Sequence, residues 1–182
     1  MTDFETAVGQ EAGRLRSELT AVYQAAFRLP PYDKTEADVE ANFARFDRQI
    51  TRPGFRAVLT HADDGTPTGM AYGHTLSAST GWWKTMTDPV DEETTREDGA
   101  RTFGLFELAV HPEHQRQGLA TAIHHALIND LTHERVILNA RPDATAAMSA
   151  YASWGYRKIG QNIPWDGAAP HVVLLLELPS GP

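Results

Sequence analysis

Residues 105–131 read LFELAVHPEHQRQGLATAIHHALINDL, and this stretch joins a strand pattern to a helix pattern. Residues 105–110 are mostly apolar, which is typical of a strand buried in a sheet. Pro112 ends that strand, because proline has no N–H to donate to a neighbouring strand. Leucine or isoleucine then recurs at every fourth position from Leu119 to Leu131, which predicts a helix with one apolar face.

The strand and the helix are joined by a polar loop that leads into Gln115-Arg116-Gln117-Gly118-Leu119-Ala120. Glycine and alanine have the smallest side chains, so a ligand can approach the backbone closely there. The first turn of a helix also carries N–H groups without intrahelical acceptors and the positive end of the helix dipole. Residues 115–121, which we call the cradle, are therefore predicted to bind an anion, and phosphate is the usual ligand of such a site.

The cradle resembles the acyl-CoA-binding signature of the GNAT superfamily of N-acetyltransferases. That signature is Gln or Arg, two residues, Gly, one residue, and then Gly or Ala, and it matches Gln115, Gly118 and Ala120. A second family-like pattern, Ala-x-x-x-Tyr-x-x-x-Gly-Tyr, occupies residues 147–156. The resemblance covers most of residues 55–178, and it implies a single-domain acyltransferase that moves an acyl group from CoA to an amine.

The resemblance also implies a cosubstrate and the residues that bind it. Acetyl-CoA is the expected donor, and no metal is expected. The acyl-CoA-binding positions that the resemblance assigns are Leu108, Ala109, Val110, Gln115, Arg116, Gln117, Gly118, Leu119, Ala120 and Thr121. In the family, the strand residues of this set bind the pantetheine amides through main-chain groups, and one N–H polarises the thioester carbonyl in an oxyanion-hole role.

Glu107 is an ionisable residue inside the apolar run 105–110. An ionised carboxylate is costly there unless it is paired or in contact with water. If the residue borders a cleft, partial loss of water would raise its pKa toward the value that a general base needs near neutral pH. The resemblance adds that a strand glutamate at this position is the general base in some members. The alternative is a carboxylate that pairs with an arginine at the sheet surface.

Tyr151 lies in a predicted helix, where a tyrosine on its own is expected to pack and to find one partner for its hydroxyl. The resemblance implies another role, because in the family this tyrosine commonly protonates the departing CoA thiolate. One position departs from the family pattern. Many members have Asn three residues before the motif alanine, and here that residue is Ala144. We expect the side-chain contact to the pantetheine arm to be absent here or to come from Asn139 or Arg141.

An aromatic set outside the CoA motif is predicted to line a substrate pocket: Phe27, Tyr32, Trp82 and Trp83. An aromatic face attracts a cationic amine. Acidic residues between positions 88 and 93 lie close in sequence to the two tryptophans and would add to that attraction. Hydrophobic packing is the alternative role for these rings.

The histidines predict no metal site. His111 and His114 have no evident third ligand, and the chain contains no HExxH motif. His124 and His125 fall outside the apolar face of their helix, so we expect both to be solvated. His74, in a predicted strand, is kept as an alternative to Glu107 as the base.

Composition excludes several other classes of protein. The chain has 182 residues, which suits one domain over residues 1–182. Its net charge of −8 argues against nucleic-acid binding, which needs a basic surface. It has no cysteine, and its longest apolar run, residues 172–176, is too short to cross a bilayer. We expect a cytoplasmic protein without a nucleic-acid or membrane partner, and a homodimer is compatible with the sequence.

The order of the predicted elements indicates the fold class. These elements are a helix over 10–27, a second helix capped by Thr35, a hairpin of strands 55–59 and 69–74, a polar loop over 80–101, the central strand and helix, a strand over 135–139, a helix over 144–154 capped by Asp143, and closing strands 156–159 and 171–178. This order predicts an α/β fold with a mixed, mostly antiparallel central sheet flanked by helices.

The sequence therefore predicts acetyl transfer from acetyl-CoA to a primary amine by direct attack in a ternary complex. The absence of cysteine favours direct attack over a thiol-linked intermediate. A small-molecule amine is the favoured acceptor, and O-acyl transfer would differ only in the acceptor. The rival function is a non-catalytic acyl-CoA-binding or regulatory module with the same fold. Such a module would need neither Glu107 nor Tyr151.

Overall fold

The computed structural model describes residues 3–179. The strands are β1 (Asp3–Val8), β2 (Arg56–His61), β3 (Pro67–Thr75), β4 (Thr102–Val110), β5 (Arg135–Ala140), β6 (Arg157–Asn162) and β7 (His171–Glu177). The α-helices are α1 (Arg16–Phe27), α2 (Glu36–Gln49), α3 (Glu92–Thr95), α4 (Leu119–Ile128) and α5 (Thr145–Ser153). Short 3-10 helices occupy Gly9–Leu15, Trp82–Thr85 and Pro112–His114.

The seven strands form one mixed sheet in the order β1-β2-β3-β4-β5-β7-β6. Strand β2 pairs antiparallel with β1 and β3, and β7 pairs antiparallel with β5 and β6. Strand β4 pairs parallel with β5. Helices flank the sheet, so the structure confirms the predicted class, an α/β fold with a mixed and mostly antiparallel sheet. The predicted hairpin is β2–β3, and the predicted closing pair is β6–β7.

The chain folds into two compact units. Unit 1 comprises the described residues up to His74 and the segment Leu105–Leu131. Unit 2 comprises Thr75–Gly104 and the described residues from Thr132 onward. All ten predicted donor-binding positions therefore belong to unit 1, together with Glu107. The expected single domain over residues 1–182 stays a prediction.

The core of unit 1 is aromatic and is formed by residues of α1, α2, β2 and β3. The ring of Phe46 lies 5.6 Å from that of Phe55 and 5.2 Å from that of Tyr72, both in edge-on geometry. Such pairs stabilise a core beyond the area that they bury. Helix α2, which contributes to this core, begins after the predicted N-cap residue Thr35. The Asp38 N–H donates to the Thr35 hydroxyl, and the Asp38 carboxylate accepts from the Thr35 N–H at 2.8 Å.

Helix α4 packs closely on the sheet of unit 1 because Gly69 of β3 has no side chain. A Cβ atom at Gly69 would collide with Ile123 Cδ1 and would lie 3.4 Å from Leu119 Cδ2. Ile123 and Leu127 are fully buried, as the spacing predicts. Arg56 Nη1 donates to the Leu127 carbonyl oxygen at 3.0 Å near the other end of the helix. This packing fixes the start of α4, and with it the cradle.

A buried ion pair holds the segment 80–101 within unit 2. Arg135 of β5 and Glu97 have side chains that are 3 % and 1 % exposed, and Nη2 lies 3.0 Å from Oε1. The same Glu97 oxygen accepts from Thr102 Oγ1 at 2.8 Å and from Trp83 Nε1 at 3.1 Å. The predicted polar loop is therefore an ordered segment that contains a 3-10 turn and helix α3.

Two predictions about helix starts are corrected by the structure. The helix expected over 10–27 begins as a 3-10 segment and becomes α-helical only at Arg16. Asp143 does not cap α5, where Ala144 is the residue before the helix and no side chain caps it. The Asp143 carboxylate instead accepts from Nε and Nη2 of Arg141 at 2.9 and 2.6 Å. A nearby guanidinium thus outcompetes the backbone N–H groups for this carboxylate.

The expectation of a solvated His124 is wrong, although His125 is exposed as predicted. Only 2 % of His124 is accessible. Burial, and to a smaller extent His125, lower the pKa of His124 to about 4. The imidazole is therefore neutral near pH 7 and can be buried beside the apolar face of α4 at a tolerable cost.

Loss of the Arg135 guanidinium should strongly destabilise the protein, because it leaves the Glu97 carboxylate buried without its cation. We expect Arg135→Met to lower the free energy of unfolding by about 3–5 kcal/mol. The double variant Arg135→Met/Glu97→Met should recover most of that loss, since the unpaired charge is gone. Denaturant unfolding of the two variants and the wild type measures this effect.

The matched control is Arg157→Met, which removes an arginine of unit 2 that pairs with Glu177 in solvent. Both of these side chains are more than half exposed, at 60 % and 62 %. This substitution should cost less than about 1 kcal/mol, as is usual for surface pairs. An Arg135→Met variant no less stable than Arg157→Met would show that the buried pair does not hold the segment.

Candidate active site

Glu107 lies on β4 in unit 1, and its side chain is 17 % exposed. Within residues 3–179, no donor hydrogen-bonds to its carboxylate. Burial raises the pKa of Glu107 to about 7, against the opposing effects of the positive charges on Arg45 and then Lys34. A carboxyl with this pKa is partly ionised near neutral pH, so it can accept a proton and release it again.

A hydrogen-bonded chain places a cation next to Glu107. Arg45 of α2 has its Nη2 atom 4.0 Å from Glu107 Oε1, and the same Nη2 donates to Asn42 Oδ1 at 2.6 Å. Asn42 is buried, and its Nδ2 donates to the Tyr72 hydroxyl at 3.0 Å. The sequence predicts an arginine only as the alternative partner of Glu107, and it does not indicate which one. No local pattern links a helix residue to a strand glutamate so far along the chain.

Two tyrosine hydroxyls near Glu107 stay protonated. Burial, and after it the Glu107 carboxylate, raise the pKa of Tyr23 and of Tyr72 above the ordinary value. Phe27 packs edge-on between Tyr23 and Tyr32, with ring centroids 4.5 and 4.6 Å apart. Phe27 and Tyr32, two of the predicted substrate-binding rings, thus belong to an aromatic cluster of unit 1. The same cluster contains Tyr23, on whose pKa the Glu107 carboxylate acts.

The cradle has an unusual backbone at two positions. Gly118, the residue before α4, has φ +78°, and Arg116 has φ +61°. A Cβ atom at Gly118 would meet no atom within 4 Å, so the space in front of this backbone is open to a ligand. The positive φ at Arg116 is a strained conformation for a residue with a side chain, and strain of this kind clusters at functional sites.

The other cradle residues have distinct roles in the structure. The first hydrogen bond of α4 runs from the Ala122 N–H to the Gly118 carbonyl oxygen at 3.1 Å. The N–H groups of the turn before Ala122 therefore have no acceptor within the helix. Gln115 does not extend into open space, because its Nε2 donates to the Val110 carbonyl oxygen at 3.1 Å. That contact ties the loop to the end of β4. Arg116, by contrast, is exposed and carries a positive charge at the helix start.

An open groove of about 290 Å³ lies beside the cradle within unit 1. It is lined by His61, Ala62, Asp63, Thr68, His114, Gln117, Gly118, Leu119 and Ala122. The turn of the β2–β3 hairpin forms one part of the lining, and the start of α4 forms another. This groove could not be predicted from the sequence, because the hairpin turn carries no ligand-binding motif.

Two histidines, the predicted alternative base His74 and the unpredicted His61, have defined side-chain contacts. The His74 ring is stacked on Phe106 with centroids 4.5 Å apart. His61 Nε2 lies 3.1 Å from Glu18 Oε2, and together with Glu5 these residues bring three ligand atoms within 4.8 Å of one another. Such a trio could in principle hold a metal ion. Arg14 already pairs with Glu5, however, and its positive charge opposes a cation there.

Tyr151, the predicted acid, lies in unit 2 on helix α5. It is buried, and its ring makes edge-on contacts with Trp154 and Tyr156, each with centroids 5.5 Å apart. Both residues expected to replace the family asparagine, Asn139 and Arg141, make other side-chain contacts. Asn139 Oδ1 accepts from the Asn162 side chain at 3.1 Å, and Arg141 pairs with the Asp143 carboxylate. Whether Asn139 or Arg141 replaces the contact at the Ala144 position stays a prediction.

Trp82 and Trp83 form a 3-10 turn of unit 2, and both are half-buried. Trp83 is engaged in packing, because its indole N–H donates to Glu97 and the Arg135 guanidinium lies 5.4 Å from its ring centre. These contacts agree with the packing alternative for Trp83. The substrate-binding role stays a prediction for both tryptophans.

Comparison with known proteins identifies the family. The model of the acetyltransferase (GNAT) family matches residues 18–156. Human N-acetyltransferase 8 is 38 % identical over 77 residues, and human N-acetyltransferase 8B is 35 % identical over the same length. Each alignment covers 41 % of this chain and 33 % of the human protein. The match thus spans about a third of the length of these relatives.

Solved structures share the fold along the whole chain. Arabidopsis thaliana NAA60, solved with a bisubstrate analogue, superposes with a TM-score of 0.67 at 11 % identity and covers 100 % of both chains. PaiA N-acetyltransferase of Thermoplasma acidophilum, solved with coenzyme A, has a TM-score of 0.65 at 10 % identity over 98 % of this chain and 99 % of its own. These structures confirm the fold. The family model, which matches more than half of the chain, confirms the family and the acyltransferase class that the motifs predict, and the chain belongs to the GNAT family of acetyltransferases.

Proposed function

We propose that this protein transfers an acetyl group from acetyl-CoA to the primary amine of a small molecule by direct attack in a ternary complex. The observation that carries the proposal is the carboxylate of Glu107, half-ionised near pH 7 beside an aromatic cluster in unit 1. An amine in water near neutral pH is mostly protonated and cannot attack a thioester. A base with this pKa can remove the proton at the pH at which it is needed.

The residues present fit the donor. Acetyl-CoA supplies the activated acetyl group and carries phosphates that need positive charge and N–H donors. The cradle offers both, because open space lies in front of Gly118 and the exposed Arg116 stands at the start of α4. The related PaiA enzyme was solved with coenzyme A, which supports the same donor class here. Main-chain groups of Leu108, Ala109 and Val110 are proposed to hold the pantetheine arm.

The proposed roles of the other residues follow the direction of proton flow. Glu107 accepts a proton from the ammonium group, directly or through water. The resulting amine attacks the acetyl carbonyl, and a backbone N–H near Leu108 steadies the negative oxygen. Tyr151 is proposed to donate a proton to the departing thiolate. Phe27, Tyr32, Trp82 and Trp83 are the proposed contacts of the acceptor.

The rival function is acyl-CoA binding without catalysis. A binding module needs the cradle but not a carboxylate with a raised pKa in the same unit. The described residues contain no helix long and apolar enough to span a membrane, and the net charge of −8 favours neither nucleic acid nor an anionic surface as partner. Release of free CoA from acetyl-CoA during a screen of amines tests the enzyme. Tight CoA binding without release by any amine would establish the rival.

Bulk at Gly118 should weaken CoA binding by blocking the open side of the cradle. We expect Gly118→Asn to reduce CoA affinity at least about tenfold, a loss of about 1.4 kcal/mol. Asparagine tolerates the left-handed backbone conformation, so this variant adds bulk while it keeps the fold. Gly118→Val should abolish binding. Calorimetric titration with CoA gives the affinities.

Gly65→Asn is the matched control, because Gly65 also has a positive φ and open space around its Cβ position, in the β2–β3 turn. CoA affinity should be unchanged in this variant. Arg116→Ala should weaken CoA binding, and the affinity of the wild type should fall with salt, since exposed charges are screened. Equal affinities for the Gly118→Asn variant and the wild type would remove the cradle from the donor site.

Glu107→Gln should reduce kcat by about 10²–10⁴-fold, because it keeps the size of the side chain but removes its basicity. The wild-type pH–rate profile should rise through about pH 7, where Glu107 ionises, and the variant should lack that acidic limb. Activity of the variant should recover partly at high pH, where the amine loses its proton unaided. CoA affinity, measured in parallel, should stay close to that of the wild type.

The same substitution should change stability with a definite sign. The pKa of Glu107 is raised on folding, from 4.5 to about 7, so its contribution to stability is fully present below pH 4.5 and is lost as pH rises through 7. The stability of Glu107→Gln relative to the wild type should therefore be greater by about 3 kcal/mol at pH 8 than at pH 4. A pH-independent difference would mean that Glu107 is not desolvated in the folded protein.

Trp82→Ala should raise the KM of the amine severalfold and leave that of acetyl-CoA nearly unchanged, since the proposal assigns this ring to the acceptor. Trp82 is a sharper probe than Trp83, whose indole also holds Glu97. Trp165→Ala, which removes a tryptophan of unit 2 that is 48 % exposed, serves as the control. Steady-state kinetics with both substrates varied separates the two KM values. Equal effects of the two variants would argue against a role of Trp82 at the acceptor.

A further inference from the structure

The carboxylate of Glu107 and the guanidinium of Arg45 face each other without a hydrogen bond. Their closest atoms, Oε1 and Nη2, are 4.0 Å apart, which is beyond the usual range of about 2.7–3.2 Å. Within the described part of the chain, Asn42 Oδ1 is the one acceptor bonded to the guanidinium, and the Glu107 oxygens have no donor. Most of the five N–H donors of the arginine are therefore available to a ligand.

Arg45 is held in this position and is not an arbitrary surface arginine. Its anchor, Asn42, is only 3 % exposed and is fixed in turn by the buried Tyr72 hydroxyl at 3.0 Å. The Arg45 side chain is 45 % exposed, so one part of the guanidinium is anchored and the remainder reaches solvent. This is the arrangement of a side chain positioned to bind something outside the protein, since a purely structural ion pair would close to hydrogen-bond distance.

Two cationic side chains act on the Glu107 carboxylate, although the chain as a whole is acidic. Arg45 is joined by Lys34, whose positive charge also acts on the carboxylate and whose backbone N–H donates to the Phe27 carbonyl oxygen at 2.8 Å. A polycation would be repelled by these two side chains. An acceptor that carries a carboxylate near its amine would be attracted by both.

We propose, resting on the proposed acetyl transfer, that the acceptor is an α-amino acid or a close analogue, whose amine lies at Glu107 and whose carboxylate is bound by Arg45. The spacing fits this class. Glu107 Oε1 and Arg45 Nη2 are 4.0 Å apart. An amine and a carboxylate attached to the same carbon are close enough together for the amine to bind Glu107 and the carboxylate to bind Arg45, each at roughly 2.9 Å. An arginine fork is well suited to a planar carboxylate.

The reaction that follows from this placement is balanced. The ammonium gives one proton to Glu107, the nitrogen forms a bond to the acetyl carbon, and the carbon–sulfur bond breaks. The thiolate takes one proton, for which Tyr151 is the proposed donor. The nitrogen loses its second proton as the amide forms, and this proton restores Tyr151, while Glu107 releases its own proton to solvent. The carboxylate of the acceptor is unchanged throughout, and Arg45 acts only by holding it. Arg45 is thus a determinant of specificity, and polyamines and the amino termini of polypeptides are excluded because they lack the carboxylate.

The test uses matched sets of acceptors with the full-length protein and acetyl-CoA. Each of the common α-amino acids is compared with its carboxamide and with the amine that remains when the carboxylate is removed. We expect the wild type to prefer the best amino acid over its own amide by about 10- to 100-fold in kcat/KM, the usual effect of a hydrogen bond to a charged group. Arg45→Gln should remove that preference, so that acid and amide react with similar kcat/KM at a pH above the acidic limb, because loss of the Arg45 charge also raises the pKa of Glu107.

Arg48→Gln is the matched control, because it removes an exposed arginine of the same helix whose Nη1 donates only to the Ala44 carbonyl oxygen. Its acid-to-amide ratio should equal that of the wild type. Equal rates for acid and amide in the wild type would overturn the assignment of the acceptor. So would an Arg45→Gln variant that keeps the wild-type acid-to-amide ratio and shifts only the acidic limb, which would make Arg45 a positioning residue for Glu107. A protein that binds CoA but acetylates none of these amines would instead overturn the proposed function itself.

Discussion

Loss of water around the Glu107 carboxylate is the constraint on which the chemistry of unit 1 depends. An ionised group in such a place is unfavourable unless a partner compensates it, and Arg45 at 4.0 Å compensates only in part. The aromatic core formed by α1, α2, β2 and β3 supplies stability that this strand position does not. The compromise leaves a pKa of about 7, which is a useful value for proton transfer and an unfavourable one for folding at alkaline pH.

Local patterns in the sequence were enough to predict most of the fold and the centre of the candidate site. The four-residue repeat of α4, the Asp-Gly turn of the hairpin and the Thr35 cap each depend on neighbours in the chain, so they can be predicted without a structure. Glu107 stood out because a charge in an apolar strand needs a reason. Arg45 and Asn42 could not be found in the same way, since their meaning arises only when α2 packs beside β4.

The wrong predictions have the same origin, because they too depend on contacts that arise only in the folded protein. The cap expected at Asp143 is displaced by a contact with Arg141, and His124 is buried because the helix buries a wider face than its leucine ridge. Family membership likewise says little about the acceptor. Structures at 10–11 % identity establish the fold alone, and the human relatives align over 77 residues. The substrate must therefore be argued from side chains that belong to this chain, and Arg45 is the most informative of them.

The buried pair of Arg135 and Glu97 has a consequence for how unit 2 opens. Segment 80–101 is rich in charged and small residues, a composition that usually exchanges amide hydrogens quickly and is easily cleaved by proteases. Here its Glu97 carboxylate is joined to a central strand, with both side chains at 3 % exposure or less. Releasing the segment means exposing a charge pair and the end of β5 together. Its amide exchange and its susceptibility to proteases are therefore coupled to the opening of the sheet itself.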